Sequence, residues 1–110
     1  MPCTLEYFNA RVQAEVDGWP AGIRAAYRHL TLRIAEHGPN LGLPHTRAIG
    51  DGLFEIRAQG PEGIGRAFFC TLLGSRVVIL HGFVKKTQAT PAKELNLARA
   101  RLREVKHAQR

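Results

Sequence analysis

The sequence predicts a single α+β domain in the order β-α-α-β-β-β-α, with a twisted, antiparallel-rich sheet of about four strands. Three observations carry this. Apolar residues recur at helical spacing before Gly38-Pro39; three runs rich in Phe, Val, Ile and Leu follow one another between Gly-containing breaks; helical spacing returns after Thr90-Pro91. The 110 residues, 45% of them hydrophobic, suit one compact core spanning 1–110.

Thr4 to Phe8, rich in β-favouring side chains, opens the sheet, and Asn9 is placed to cap the helix after it. Val12, Val16 and Trp19 give that helix its apolar side until Gly18 and Pro20 break it. Pro20 then stands near the first turn of a second helix, running to about His37, with the stripe Ile23, Tyr27, Leu30 and Ile34. Asn40 to Gly52 shows no periodicity and reads as a loop leading to a turn at Asp51-Gly52. Leu53 to Ala58, Gly65 to Leu73 and Arg76 to Val84 read as successive strands. Thr90-Pro91 starts a terminal helix whose apolar line, Leu95, Ala98, Leu102 and Val105, has a basic stripe beside it: Arg99, Arg103, Lys106 and Arg110.

Sixteen Lys and Arg against nine Asp and Glu leave a net charge of +7, so the field attracts polyanions and nucleic acid leads the partner classes. Cys3 and Cys70 lack the density of a disulfide scaffold and the spacing of a zinc site, and read as free thiols. No leader pattern and no run of about 18 apolar residues appears, which predicts a cytoplasmic protein. The histidines form no pair at metal-ligand spacing, and Gly60 to Gly65 lacks the GK[ST] ending of a phosphate loop; no metal and no cofactor are expected.

A two-residue turn at Gly74-Ser75 would pair Leu73 with Arg76, Phe68 with His81 and Arg66 with Phe83. One face then carries Arg66, Phe68, Cys70 and Leu72 with Val77, Ile79, His81 and Phe83. If Gly60 to Gly63 is the preceding loop, Arg57 faces Arg66 and Glu55 faces Phe68; a one-residue slip there would send Arg57 and Glu55 to the opposite face. In this register Arg57, Arg66, Phe83 and Lys85-Lys86 gather at one end of the sheet, with Glu55 and His81 one pair further in. Guanidinium forks hold phosphate, lysines add charge and an exposed ring stacks on an unpaired base, so the end suits RNA.

Asp51-Gly52-Leu53-Phe54-Glu55-Ile56-Arg57, Gly65-Arg66-Ala67-Phe68-Phe69 and above all the run Leu80 to Pro91 resemble the phage-derived HigB-like branch of the RelE toxin superfamily. The resemblance implies a RelE-like fold. It also implies a toxin of a type II toxin–antitoxin system: a metal-independent endoribonuclease that cuts mRNA, commonly on the translating ribosome, and inhibits translation and growth. The implied partner is a cognate helix-turn-helix antitoxin in a toxin–antitoxin hetero-oligomer. Position by position it implies Arg57, Arg66, Lys85 and Lys86 as catalytic. Phe83, His81 and Glu55 fall on the RNA-binding side of the same site. Relatives place a tyrosine or histidine near the C-terminal end, where this chain has His107.

Such cleavage uses the 2′-hydroxyl against its own phosphate, so a proton acceptor is required; Lys85, Glu55 and His81 are all chemically able to serve. Two other readings compete. One is a non-catalytic RNA- or DNA-binding module, the other an interaction protein indifferent to charge at Arg57 and Arg66.

Overall fold

A computed structural model describes residues 3–85 and 91–108. The expected order of elements is present with one strand added: β1 (Thr4–Tyr7), α1 (Ala10–Asp17), α2 (Ala21–His37), β2 (Thr46–Gly50), β3 (Leu53–Gly60), β4 (Gly63–Leu72), β5 (Arg76–Lys85) and α3 (Ala92–Ala108). The strands form one mixed sheet in the order β1-β5-β4-β3-β2, with β1 parallel to β5 and the other neighbours antiparallel. β2 lies inside the stretch read as a loop and pairs with β3 across the Asp51-Gly52 turn.

Helix ends follow local chemistry. The Val12 N–H donates to Asn9 Oδ1 at 2.9 Å, the cap expected for α1. Gly38, at φ +93°, ends α2 in a conformation that side chains resist. Pro20 starts α2 but has no side-chain acceptor to offer. Glu62, from the β3–β4 turn, supplies one, accepting from the Gly22 N–H at 2.9 Å. That backbone donor holds the Glu62 carboxyl below its ordinary value.

Two apolar layers clasp the sheet. α1 and α2 cover one face, where Val16, Trp19, Ile23, Tyr27 and Ile34 meet Ile56, Ala58, Ala67, Phe69, Val77 and Ile79. α3 covers part of the other, setting Ala98 and Leu102 on Leu53, Phe68, Cys70, Leu72, Val78 and Leu80. Trp19 reaches so close to the sheet that a Cβ on Gly65 would stand 2.7 Å from its ring.

The β3–β4 register is the expected one, Arg57 facing Arg66 and Glu55 facing Phe68, although Gly60 and Gly63 themselves pair and only Pro61-Glu62 turns. The β4–β5 hairpin departs from expectation twice. Its loop has three residues, Leu73 to Ser75, with Leu73 and Gly74 at positive φ, so Leu72 faces Arg76. A bulge then inserts Leu80 between the pairs Phe69–Ile79 and Phe68–His81. The shifts cancel: Phe68 faces His81 and Arg66 faces Phe83, as expected. Between them the faces are exchanged, so Val78 and Leu80, instead of Val77 and Ile79, share the face of Cys70.

Two outcomes follow. Gly65→Ala forces the Trp19 contact apart and should lower unfolding free energy by about 1–3 kcal/mol in urea titrations. Glu62 has a depressed carboxyl, so its contribution is full above its ordinary value of 4.5 and is lost as pH falls through the lower folded value. Urea midpoints followed from about pH 7 to pH 3 should therefore fall less in Glu62→Gln than in the parent.

Candidate nucleic-acid interface

The face under α3 is only partly roofed, and cross-strand pairing orders its open end into rows. Arg47, Glu55, Phe68 and His81 form the first, Arg57, Arg66 and Phe83 the second, and Gln59, Ile64 and Lys85 the last. Pairing alone thus places Glu55, Arg57, Arg66, His81 and Phe83 on one face, with Lys85 at a register position beside them. Lys86 lies outside the described residues.

Glu55 organises the first two rows. It is fully buried, although the expectation was that it would touch RNA. One of its oxygens, Oε1, accepts from Arg66 Nη1 at 2.8 Å and lies 3.4 Å from Arg47 Nη2. Arg66 is itself buried, whereas the Arg47 side chain is 48% exposed and carries charge from the sheet edge into the site. Arg47 went unnoticed in the sequence because it lay in a presumed loop. Extending the Asp51-Gly52 turn backwards would have set it opposite Glu55, an opposite-charge pair.

The cluster holds one carboxylate and three guanidiniums. Burial pulls the Arg66 guanidinium below its ordinary value; Glu55 opposes this, and the charges of Arg57 and Arg47 add to it. Glu55 Oε2, Arg57 Nε and Arg66 Nε are buried without a hydrogen-bond partner among the described residues. A site with surplus positive charge and unmatched donors is arranged to receive an anion.

His81 Nε2 lies 3.2 Å from Glu94 Oε1 in the first turn of α3, and its ring stacks on Phe83 at 5.8 Å. It is therefore a held side chain joining sheet to helix. Phe83 is half-buried at the margin of the α3 layer, leaving part of its ring open. Between β2 and α3 a cleft of about 360 Å³ is lined by Arg47, Ile49, Phe68, Leu95 and Arg99. Arg99 reaches Asp51 at 3.5 Å and Lys106 donates to the Asp51 carbonyl at 3.3 Å, so two members of the basic stripe fasten the β2–β3 turn. Arg110 is outside the described residues. His107 stands at the far end of α3 from Glu94, about 20 Å along the helix axis, so it does not join this constellation.

Among the described residues no group of three His, Cys, Asp or Glu is placed to hold a metal ion, and no helix is long and apolar enough to cross a membrane. Residues 14–103 match the family model described as Phage derived protein Gp49-like (DUF891). No curated protein matches the chain.

Removing the Glu55 charge strands Arg66 in the interior. Glu55→Gln should lower stability by about 3–5 kcal/mol, and adding Arg66→Met should restore part of the loss. Equilibrium denaturation of the two single variants and the double variant measures that coupling; strict additivity would sink the assignment.

Proposed function

The chain belongs to the phage-derived Gp49-like family, and from that premise we propose that it is a toxin of a toxin–antitoxin pair that cuts messenger RNA without a metal. The family is associated with the toxins of toxin–antitoxin pairs. One observation supports the chemistry most: two arginines, Arg66 and Arg47, meet a single buried carboxylate at an open sheet end and Arg57 stands beside them unpaired, leaving positive charge for a phosphate to match.

In this reading Arg57 and the edge of Arg66 grip the scissile phosphate through paired N–H donors. Lys85, ending β5, and Lys86 after it add charge as the phosphorane gathers negative charge, and the open part of Phe83 stacks a base. Glu55 and His81 act by holding these groups: Glu55 through Arg66 and Arg47, His81 through Glu94 and Phe83. Transcripts would be met on the translating ribosome, and a helix-turn-helix antitoxin would hold the toxin inactive in a hetero-oligomer.

Inducible expression in a bacterium, with transcript 5′ ends mapped before and after, provides the test. Growth should arrest and new ends should appear inside translated regions. Arg57→Ala and Lys85→Ala should each reduce cutting by about 100-fold or more while the protein remains folded. Intact transcripts at full soluble expression of the parent would overturn the ribonuclease reading in favour of a binding module.

A further inference from the structure

The proton acceptor has no assignment in the scheme above, and a second hollow beside Arg57 offers one. β2 makes its first pair at Thr46–Ile56, and one further backbone bond, Arg57 N–H to the His45 carbonyl at 2.9 Å, fixes His45 against Arg57 just where the strand stops. Past that point α2 overhangs the edge of β3. Its buried Leu30 anchors the turn, and His29, one residue earlier, falls at the rim. The result is a cavity of about 230 Å³ whose polar lining is Arg57, His29, His45 and Gln59, with Leu30 and Ile64 among its apolar walls.

None of these four polar side chains has a hydrogen-bond or ion-pair partner among the described residues, and the Arg57 Nε is buried as well as unpaired. Polar side chains that converge on a concave hollow without partners in the protein, one of them with a buried unpaired nitrogen, mark a place for a ligand. The set has a definite chemistry: a guanidinium fork for phosphate oxygens, an amide for a hydroxyl, and two imidazoles, the side chain suited to both accepting and donating a proton. Arg57 also faces Arg66, and Gln59 pairs with Ile64, which faces Lys85, so the hollow opens onto the basic end of the sheet.

We propose that this cavity seats the scissile phosphodiester and that His29 and His45 are its proton-transfer pair, an inference that rests on the ribonuclease reading. One imidazole, neutral, takes the proton of the 2′-hydroxyl as that oxygen bonds to phosphorus. The other, protonated, gives its proton to the 5′-oxygen as the bond from phosphorus to that oxygen breaks. The products are a 2′,3′-cyclic phosphate and a free 5′-hydroxyl, and the two imidazoles finish with their protonation states exchanged. Arg57 holds the non-bridging oxygens throughout.

Two measurements on the full chain test this. Titrating the parent with inorganic phosphate, then with uridine 3′-monophosphate, should shift the imidazole C–H signals of His29 and His45 but not those of His37 and His107, and Arg57→Ala should abolish the shifts. The rate of RNA cleavage should follow a bell-shaped pH profile. His29→Asn and His45→Asn should each lose one limb and about 100-fold or more in rate, with RNA affinity held within about twofold. Undiminished cleavage in the double variant overturns the proton-transfer pair and leaves the ribonuclease reading standing. Phosphate shifts confined to His29 and His45, without RNA cleavage under any condition, uphold the cavity as a phosphate site and sink the ribonuclease reading instead.

Discussion

Glu55 is the only carboxylate buried among the described residues, and an ionised carboxylate in an interior costs several kcal/mol unless a cation and further donors meet it. Arg66 meets it from β4 and Arg47 from β2, both at the same oxygen. The consequence runs outward from that atom. A guanidinium becomes acceptable within the sheet face, the edge strand acquires a tie beyond its short backbone ladder, and one negative charge anchors two positive ones while Arg57 stands beside them. The basic end of the sheet thus becomes a defined constellation, where the net charge of +7 alone argues only for some polyanion.

The two sheet faces are covered unequally. Trp19, sunk against Gly65 and bonded through its ring N–H to Glu15, lets α1 and α2 close over the first face. α3 is a single helix and roofs the second face only as far as Phe68 and the His81–Glu94 contact. Beyond that line the side-chain rows continue without a roof. Arg57 and Arg66 occupy positions there, beside the half-buried ring of Phe83.

Much of this was legible in the sequence because pairing follows from turns. Pro61-Glu62 between two glycines fixed the β3–β4 register, and the helix stops at Gly38 and the start near Pro91 held. The β4–β5 turn was not legible, because Leu73 adopts a positive φ that composition gives no reason to assign to leucine. The bulge at Leu80 hid for a different reason: Val77 to Leu80 is apolar throughout, being covered on both faces, so no alternation betrays a slip of one residue. The two displacements cancel at the basic end, so Phe68 still faces His81 and Arg66 still faces Phe83. β2 escaped notice because five residues containing arginine and glycine carry almost no strand signal, and Arg47 was lost with it. His29 and His45 were set aside for lacking metal-ligand spacing. They line one cavity only because α2 passes beside the start of β2, a tertiary relation that no local spacing encodes.

The distribution of unmet polar atoms separates scaffold from site. A buried polar atom without a partner costs about 1–3 kcal/mol, so a folded chain retains few of them. Among the side-chain atoms of the described residues three remain, Glu55 Oε2, Arg57 Nε and Arg66 Nε, and all belong to the two facing strands that form the basic end. Elsewhere the accounts close: Tyr7 and Tyr27 bond to each other, and Glu6 and Arg76 form a two-pronged pair between the parallel strands. Two of the three are arginine nitrogens, donors that an anion can meet, so this end of the sheet is disposed toward anions. Its donors stand in place before the ligand arrives, and the rest of the fold carries the cost of holding them there.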